Sequence, residues 1–205
     1  MAKKIFFATI PLQQEGKLNS IKYRWGNNGH VETSETRFPI IPLIEENVSA
    51  EDKVRIVAIK TNDNEGNCER NIGYLKEELD MLSGELGVKL EVSREIGIDH
   101  DESPKKHVQL MREIVGQFEE DSLVYMDVTF GTKATSICSF ASLAYAEKLM
   151  NCEIAGILYG KYVHGMETGE LYNLKTLYEL NMIMQTAQSL PQEYVKDFLD
   201  KLWKD

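Results

Sequence analysis

The sequence predicts an α/β fold: a doubly wound, mainly parallel sheet with helices on both faces and β-hairpin insertions. Three observations lead there. Short apolar runs alternate with segments whose apolar residues recur at helical spacing. The run Val54-Arg55-Ile56-Val57-Ala58-Ile59 is almost continuously apolar, as a strand buried on both faces must be. The 205 residues, 42% apolar and 27% charged, suffice for one filled core and contain no low-complexity tract.

The elements follow in order. Ile5 to Thr9 is a short apolar strand that ends before Pro11, where a loop must begin. Between Lys22 and Phe38, alternating residues surround Gly26-Asn27-Asn28-Gly29, a hairpin signal that calls for positive φ. The run from Val54 is the central strand. Ile72, Leu75, Leu79, Leu82 and Leu86 then place one apolar stripe on a charged helix that Gly87 terminates. Val88, Leu90 and Val92 alternate with charged residues, as in a strand near a sheet edge. Ser103-Pro104 supplies an N-cap and a first-turn proline for a helix whose buried stripe is expected to be Val108, Met111, Val115 and Phe118.

Leu123 to Val128 and Ile154 to Tyr159 are two more apolar strands, separated by a helix from about Lys133 to Met150. On that helix Ile137, Phe140, Ala141, Ala144 and Tyr145 leave little polar face, which predicts burial on two sides, against the sheet and against a second subunit. A second hairpin is expected over Tyr162 to Leu171, and helices starting near Leu174 and Pro191 finish the chain. Residues 1–173 thus read as one domain and 174–205 as a helical segment packed on it or on a dimer mate.

Composition excludes several function classes. A net charge of −10 argues against an extended basic face for duplex DNA or RNA, yet leaves room for a pocket that concentrates a few cations around a small anion. Cys68, Cys138 and Cys152 show no Cys-x-x-Cys pairing and read as reduced, buried thiols. The apolar run after Lys3-Lys4 is too short for a signal peptide, and no stretch approaches a membrane span, so the expected compartment is the cytoplasm. Neither a metal nor a cofactor is expected. Asp99-His100-Asp101-Glu102 reads as a solvated run ahead of Ser103, His164 as a loop histidine, and Trp25 as an aromatic packed on its own sheet.

Chemistry concentrates in Val124-Tyr125-Met126-Asp127-Val128-Thr129-Phe130-Gly131-Thr132-Lys133-Ala134-Thr135-Ser136, a buried strand, a turn and a helix start. The first amides of a helix lack intrahelical acceptors, and the helix dipole favours negative charge beside them. Thr129, Thr132 and Ser136 add hydroxyls, and Lys133 adds a mobile positive charge. In open α/β sheets ligands bind beyond the C-terminal ends of the strands, where this turn lies. Phosphate is the natural guest.

The segment Asp127-Val128-Thr129-Phe130-Gly131-Thr132-Lys133 resembles the Asp-x-Thr-x-Gly-Thr-Lys turn of the CARF (CRISPR-associated Rossmann-fold) domains of type III CRISPR ancillary proteins. Phe130 stands where that family usually has Gly or His. A first strand ending in Thr9, the early Tyr23-Arg24-Trp25 hairpin and the late Leu174-Lys175-Thr176-Leu177 helix start extend the resemblance over nearly the whole chain. It implies a Rossmann-like homodimer that binds a cyclic oligoadenylate, most often the four-adenylate ring, in a pocket across the dyad. Carried over by position, the implied ligand-binding residues are Thr9, Ile10, Pro11, Thr129, Phe130, Gly131, Thr132, Lys133 and Ser136.

Relatives typically continue into an effector domain. The Arg-to-His spacings at Arg24 to His30 and Arg94 to His100 fall on non-helical sequence and do not make a HEPN ribonuclease signature. Two readings stay open. In one, the protein is a metal-independent ring nuclease in which a ribose 2′-OH attacks the adjacent phosphate, with Lys133 stabilising charge and Thr9 and Thr132 positioning the phosphate. In the other, the pocket only senses the ring and passes occupancy to a separate effector.

Overall fold

The computed structural model describes residues 2–26, 32–99, 103–162, 168–187 and 189–202. In chain order its elements are β1 (Lys3–Thr9), β2 (Lys22–Trp25), α1 (Ile40–Asn47), β3 (Lys53–Thr61), α2 (Asn67–Leu86), β4 (Val92–Ile98), α3 (Pro104–Val115), β5 (Leu123–Asp127), α4 (Lys133–Leu149), β6 (Glu153–Lys161), β7 (Thr168–Asn173), α5 (Lys175–Ala187) and α6 (Gln192–Leu202). The strands form one 7-stranded sheet in the order β2-β7-β6-β5-β1-β3-β4. The five strands from β6 to β4 are mutually parallel, and β7 runs antiparallel to β6. The fold is therefore α/β with a mostly parallel sheet.

Alternation along the central strands builds two cores. Phe6, Ala8, Ile56, Ala58, Tyr125 and Leu158 point to one face, where they meet α1 and α2. Ile5, Phe7, Val57, Met126 and Ile157 point to the other, where they meet residues of α3, α4 and α5. Since a strand's side chains alternate, the near-continuous apolar run of β3 is needed to fill both. Phe6 stacks on Tyr125 at a centroid distance of 4.4 Å, tying β1 to β5 where they lie in register.

Several expectations change. Helix α1 was not foreseen, because Ile40-Ile41-Pro42-Leu43-Ile44 has no polar face; all five are buried, and Pro42 sits in the first turn, where its missing N–H costs nothing. The antiparallel hairpin expected over Lys22 to Phe38 shrinks to isolated bridges, Ile21 with Thr36 and Arg24 with Glu32, while β2 pairs in parallel with β7. Gly169 permits that pairing, since a Cβ there would lie 2.5 Å from the Tyr23 ring. The Asn27-Asn28-Gly29 part of the expected turn lies outside the described residues.

The edge strand β4 starts only at Val92; Leu90 is buried ahead of it, its amide donating to Ser83 Oγ at 2.8 Å. On α3, Leu110 and Ile114 are the fully buried residues and Val108 is 59% exposed, because the 3.6-residue period that passes through Leu110 and Ile114 turns Val108 outward. Within the single chain, helix α4 buries one side against the sheet. Thr135, Cys138, Ser142, Leu143 and Ala146 face inward, while Ile137, Ala141, Tyr145 and Leu149, spaced four apart, are exposed. In the C-terminal segment Tyr178 is buried, meets Phe140 edge-on, and donates its hydroxyl to Glu147 at 2.8 Å. Tyr194 and Phe198 of α6 are exposed, and Trp203 lies outside the described residues. The three cysteines are buried and unpaired.

Candidate functional site

The C-terminal ends of β1 and β5 are joined by side chains rather than by ladder bonds. Thr9, 1% exposed, accepts the Phe130 amide on its Oγ1 at 2.9 Å, and Asp127 Oδ1 accepts the Thr129 amide at 2.8 Å. Thr129 Oγ1 in turn accepts the Gly160 amide from β6 at 2.8 Å. Gly160 is required there, since a Cβ would come within 2.5 Å of Pro39 Cγ. These contacts pin Thr129 and Phe130 over the strand ends and consume their amides.

The next amides are open. Gly131 takes a φ of 89°, a conformation that costs a residue with a side chain, and turns the chain into α4. No acceptor for the amides of Gly131, Thr132, Lys133 or Ala134 is found among the described residues; the first amides used are those of Thr135, which donates to Thr132 Oγ1 at 3.2 Å, and Ser136. Thr132 is thus the N-cap of α4. Lys133 is its exposed first residue, and the first turn contains no acidic side chain. A lysine at the positive end of a helix dipole is unfavourable by about 0.3–1 kcal/mol in isolation, an arrangement that a bound anion reverses.

The expected site residues divide accordingly. Gly131, Thr132 and Lys133 lie together at the open amides. Thr9 is buried beneath the loop and bonded to the Phe130 amide, and Ile10 and Pro11 are buried, with the Pro11 carbonyl accepting from Asn71 Nδ2 at 2.8 Å. Ser136 donates to the Val128 carbonyl at 3.3 Å. Trp25 donates its indole N–H to Glu46, and Asp99 pairs with Lys106 at 2.6 Å; His164 and His100 to Glu102 lie outside the described residues.

Beneath the loop, Asp127 is fully buried. Its Oδ2 has no hydrogen-bond partner among the described residues. Burial pushes the carboxyl up from its ordinary range to about 7, against the opposing hydroxyl and amide of Thr129. Thr129 and Phe130 also line a cavity of about 290 Å³ that takes in Lys17, Arg37, Tyr159 and Tyr162, together with the buried Tyr23. Lys133 does not line it. Lys17, Arg37, Tyr159 and Tyr162 belong to no motif of the sequence, since they come from three separated segments of the chain.

Among the described residues no group of His, Cys, Asp and Glu is placed to hold a metal ion, and no helix is long and apolar enough to cross a membrane. No known family model matches the chain, and no curated protein matches it.

Proposed function

We propose that this chain is a CARF-like domain that binds a cyclic oligoadenylate, the four-adenylate ring in the first instance, and cleaves it without a metal. The open amides of Gly131 to Ala134 beside Lys133, at a helix start free of acidic residues, carry this reading. A phosphodiester supplies the negative charge and the acceptor oxygens that these groups lack. The Rossmann-like, doubly wound reading draws on the strand order, in which the connections step outward from β1 through β3 to β4, then return to β5 and step outward the other way; β1 and β5 flank that reversal. In this reading residues 1–173 form the ligand-binding domain, 174–205 the helical segment packed on it, and the protein acts in the cytoplasm with no cofactor.

Cleavage requires a ribose 2′-OH to attack the adjacent phosphorus, forming the 2′,3′-cyclic phosphate as the P–O5′ bond breaks and the 5′-oxygen takes up a proton. Lys133 and the neighbouring amides stabilise the phosphoryl oxygens, and Thr132 fixes the helix start that aims them. Thr9 positions Phe130. A ring with its own symmetry suits a homodimer, and the exposed Ile137, Ala141, Tyr145 and Leu149 stripe of α4 is the surface this reading gives to the second copy.

The test is incubation of the purified protein with cyclic tetra- and hexa-adenylate in EDTA, with products resolved by mass and Lys133→Ala run in parallel. Linear products from the wild type alone are expected. Retention of an intact ring that depends on Lys133 would keep the binding role and remove the catalytic one. Absence of retention for every ring would overturn the proposal.

A further inference from the structure

We infer that the cavity beside Thr129 and Phe130 is a subsite for one purine nucleotide unit, its phosphate held by Lys17 and Arg37 and its base by Tyr159 and Tyr162. Charge argues first. The chain carries 33 acidic against 23 basic residues, yet none of the described residues lining this cavity is acidic. An acid-free concavity on an acidic protein concentrates the local field on an anion.

The two cations differ in role. Arg37 is held in place: its Nη1 donates to Glu78 Oε1 at 3.0 Å, and its guanidinium lies 4.7 Å from the centre of the Tyr74 ring. Glu78 balances its charge, so Arg37 contributes directed N–H donors more than net charge. Lys17 is exposed and its ammonium has no partner among the described residues, so it supplies the net positive charge. The aromatic part follows from the walls. Tyr159 and Tyr162 are each 39% exposed, half-open rings of the kind on which bases stack, and Tyr159 is backed by Tyr172 at 6.5 Å.

Gln13 and Asn19, also on the lining, offer side-chain amides that pair with the donor and acceptor edge of adenine. Gln13 is fixed by its carbonyl, which accepts from Asn71 Nδ2 at 3.0 Å and from Arg70 Nη2 at 3.2 Å. At about 290 Å³ the cavity lies at the small end of ligand pockets and suits a single nucleotide, not a whole ring. The choice of adenine rests on the proposed function; the anionic aromatic class does not.

Binding of AMP and of cyclic tetra-adenylate is measured by calorimetry for the wild type, Lys17→Glu, Tyr162→Ala and Lys148→Glu. Lys148 lies in the last turn of α4, about 25 Å along the helix from the loop, and makes the same change in net charge as the Lys17 variant. The expected result is at least tenfold weaker binding for Lys17→Glu, roughly 5- to 150-fold for loss of one stacking ring, and little change for Lys148→Glu. Ring binding unaffected by Lys17→Glu and Tyr162→Ala would overturn the subsite while sparing the proposed function. AMP binding that needs both residues, with no ring binding, would do the reverse. Equal losses in Lys17→Glu and Lys148→Glu would reduce the effect to general charge and remove the subsite, and failure of both ligands to bind would remove both proposals.

Discussion

Asp127 shows how one side chain can hold a site together at a cost. Its Oδ1 secures Thr129, but its Oδ2 is buried without a partner among the described residues, so ionisation is resisted and its value rises to about 7. A carboxyl whose folded-state value exceeds the unfolded one, about 3.9, favours folding most below pH 4 and loses that contribution as pH rises towards 7. Asp127→Asn keeps an oxygen for the Thr129 amide and cannot ionise. The variant should therefore gain in melting temperature relative to the wild type between pH 4 and 7, by a stability difference on the order of a few kcal/mol, with the gap constant above about pH 8. A gap independent of pH would show that Asp127 is already ionised in the fold. The importance of this position was legible as part of a motif; its burial was not, because an aspartate ending a strand is as readily solvated as enclosed.

At the scale of the element, α4 joins two demands that conflict. Its N-terminus carries Thr132 as a cap, which favours the helix, and Lys133 as first residue, which opposes the dipole. Lys133→Glu should raise the melting temperature of the free protein slightly, in keeping with about 0.3–1 kcal/mol, while abolishing retention of cyclic oligoadenylate. A melting temperature that falls would place the lysine in a structural contact instead. The hydrophobic periodicity was sufficient to locate α2, α4 and β3, because each is long or apolar enough to leave one reading. It failed for α1, whose apolar residues give no period, and it put Val108 in the stripe that belongs to Leu110 and Ile114, because α3 has enough apolar residues to draw two stripes.

For the whole molecule, the exposed stripe on α4 is one apolar surface that a single chain leaves unpartnered among the described residues. In the proposed homodimer, Ile137→Glu should shift the sedimentation coefficient from dimer to monomer while leaving the melting transition of the monomer cooperative, because the residue is 68% exposed in the single chain and supports no core contact of its own. A wild type that sediments as a monomer would refute that arrangement. By itself the sequence determined the alternation of strands and helices, the burial of the central strands and the loop where a helix start follows a strand, since each depends on residues close together in the chain. Only the tertiary structure decided which amides of that loop remain open and which are consumed by Thr9 and Asp127, and it alone assembled Lys17, Arg37, Tyr159 and Tyr162 around one cavity. The physical reason is that hydrogen bonds across strands and the walls of a cavity depend on distances through space, which pattern and spacing along the chain do not encode.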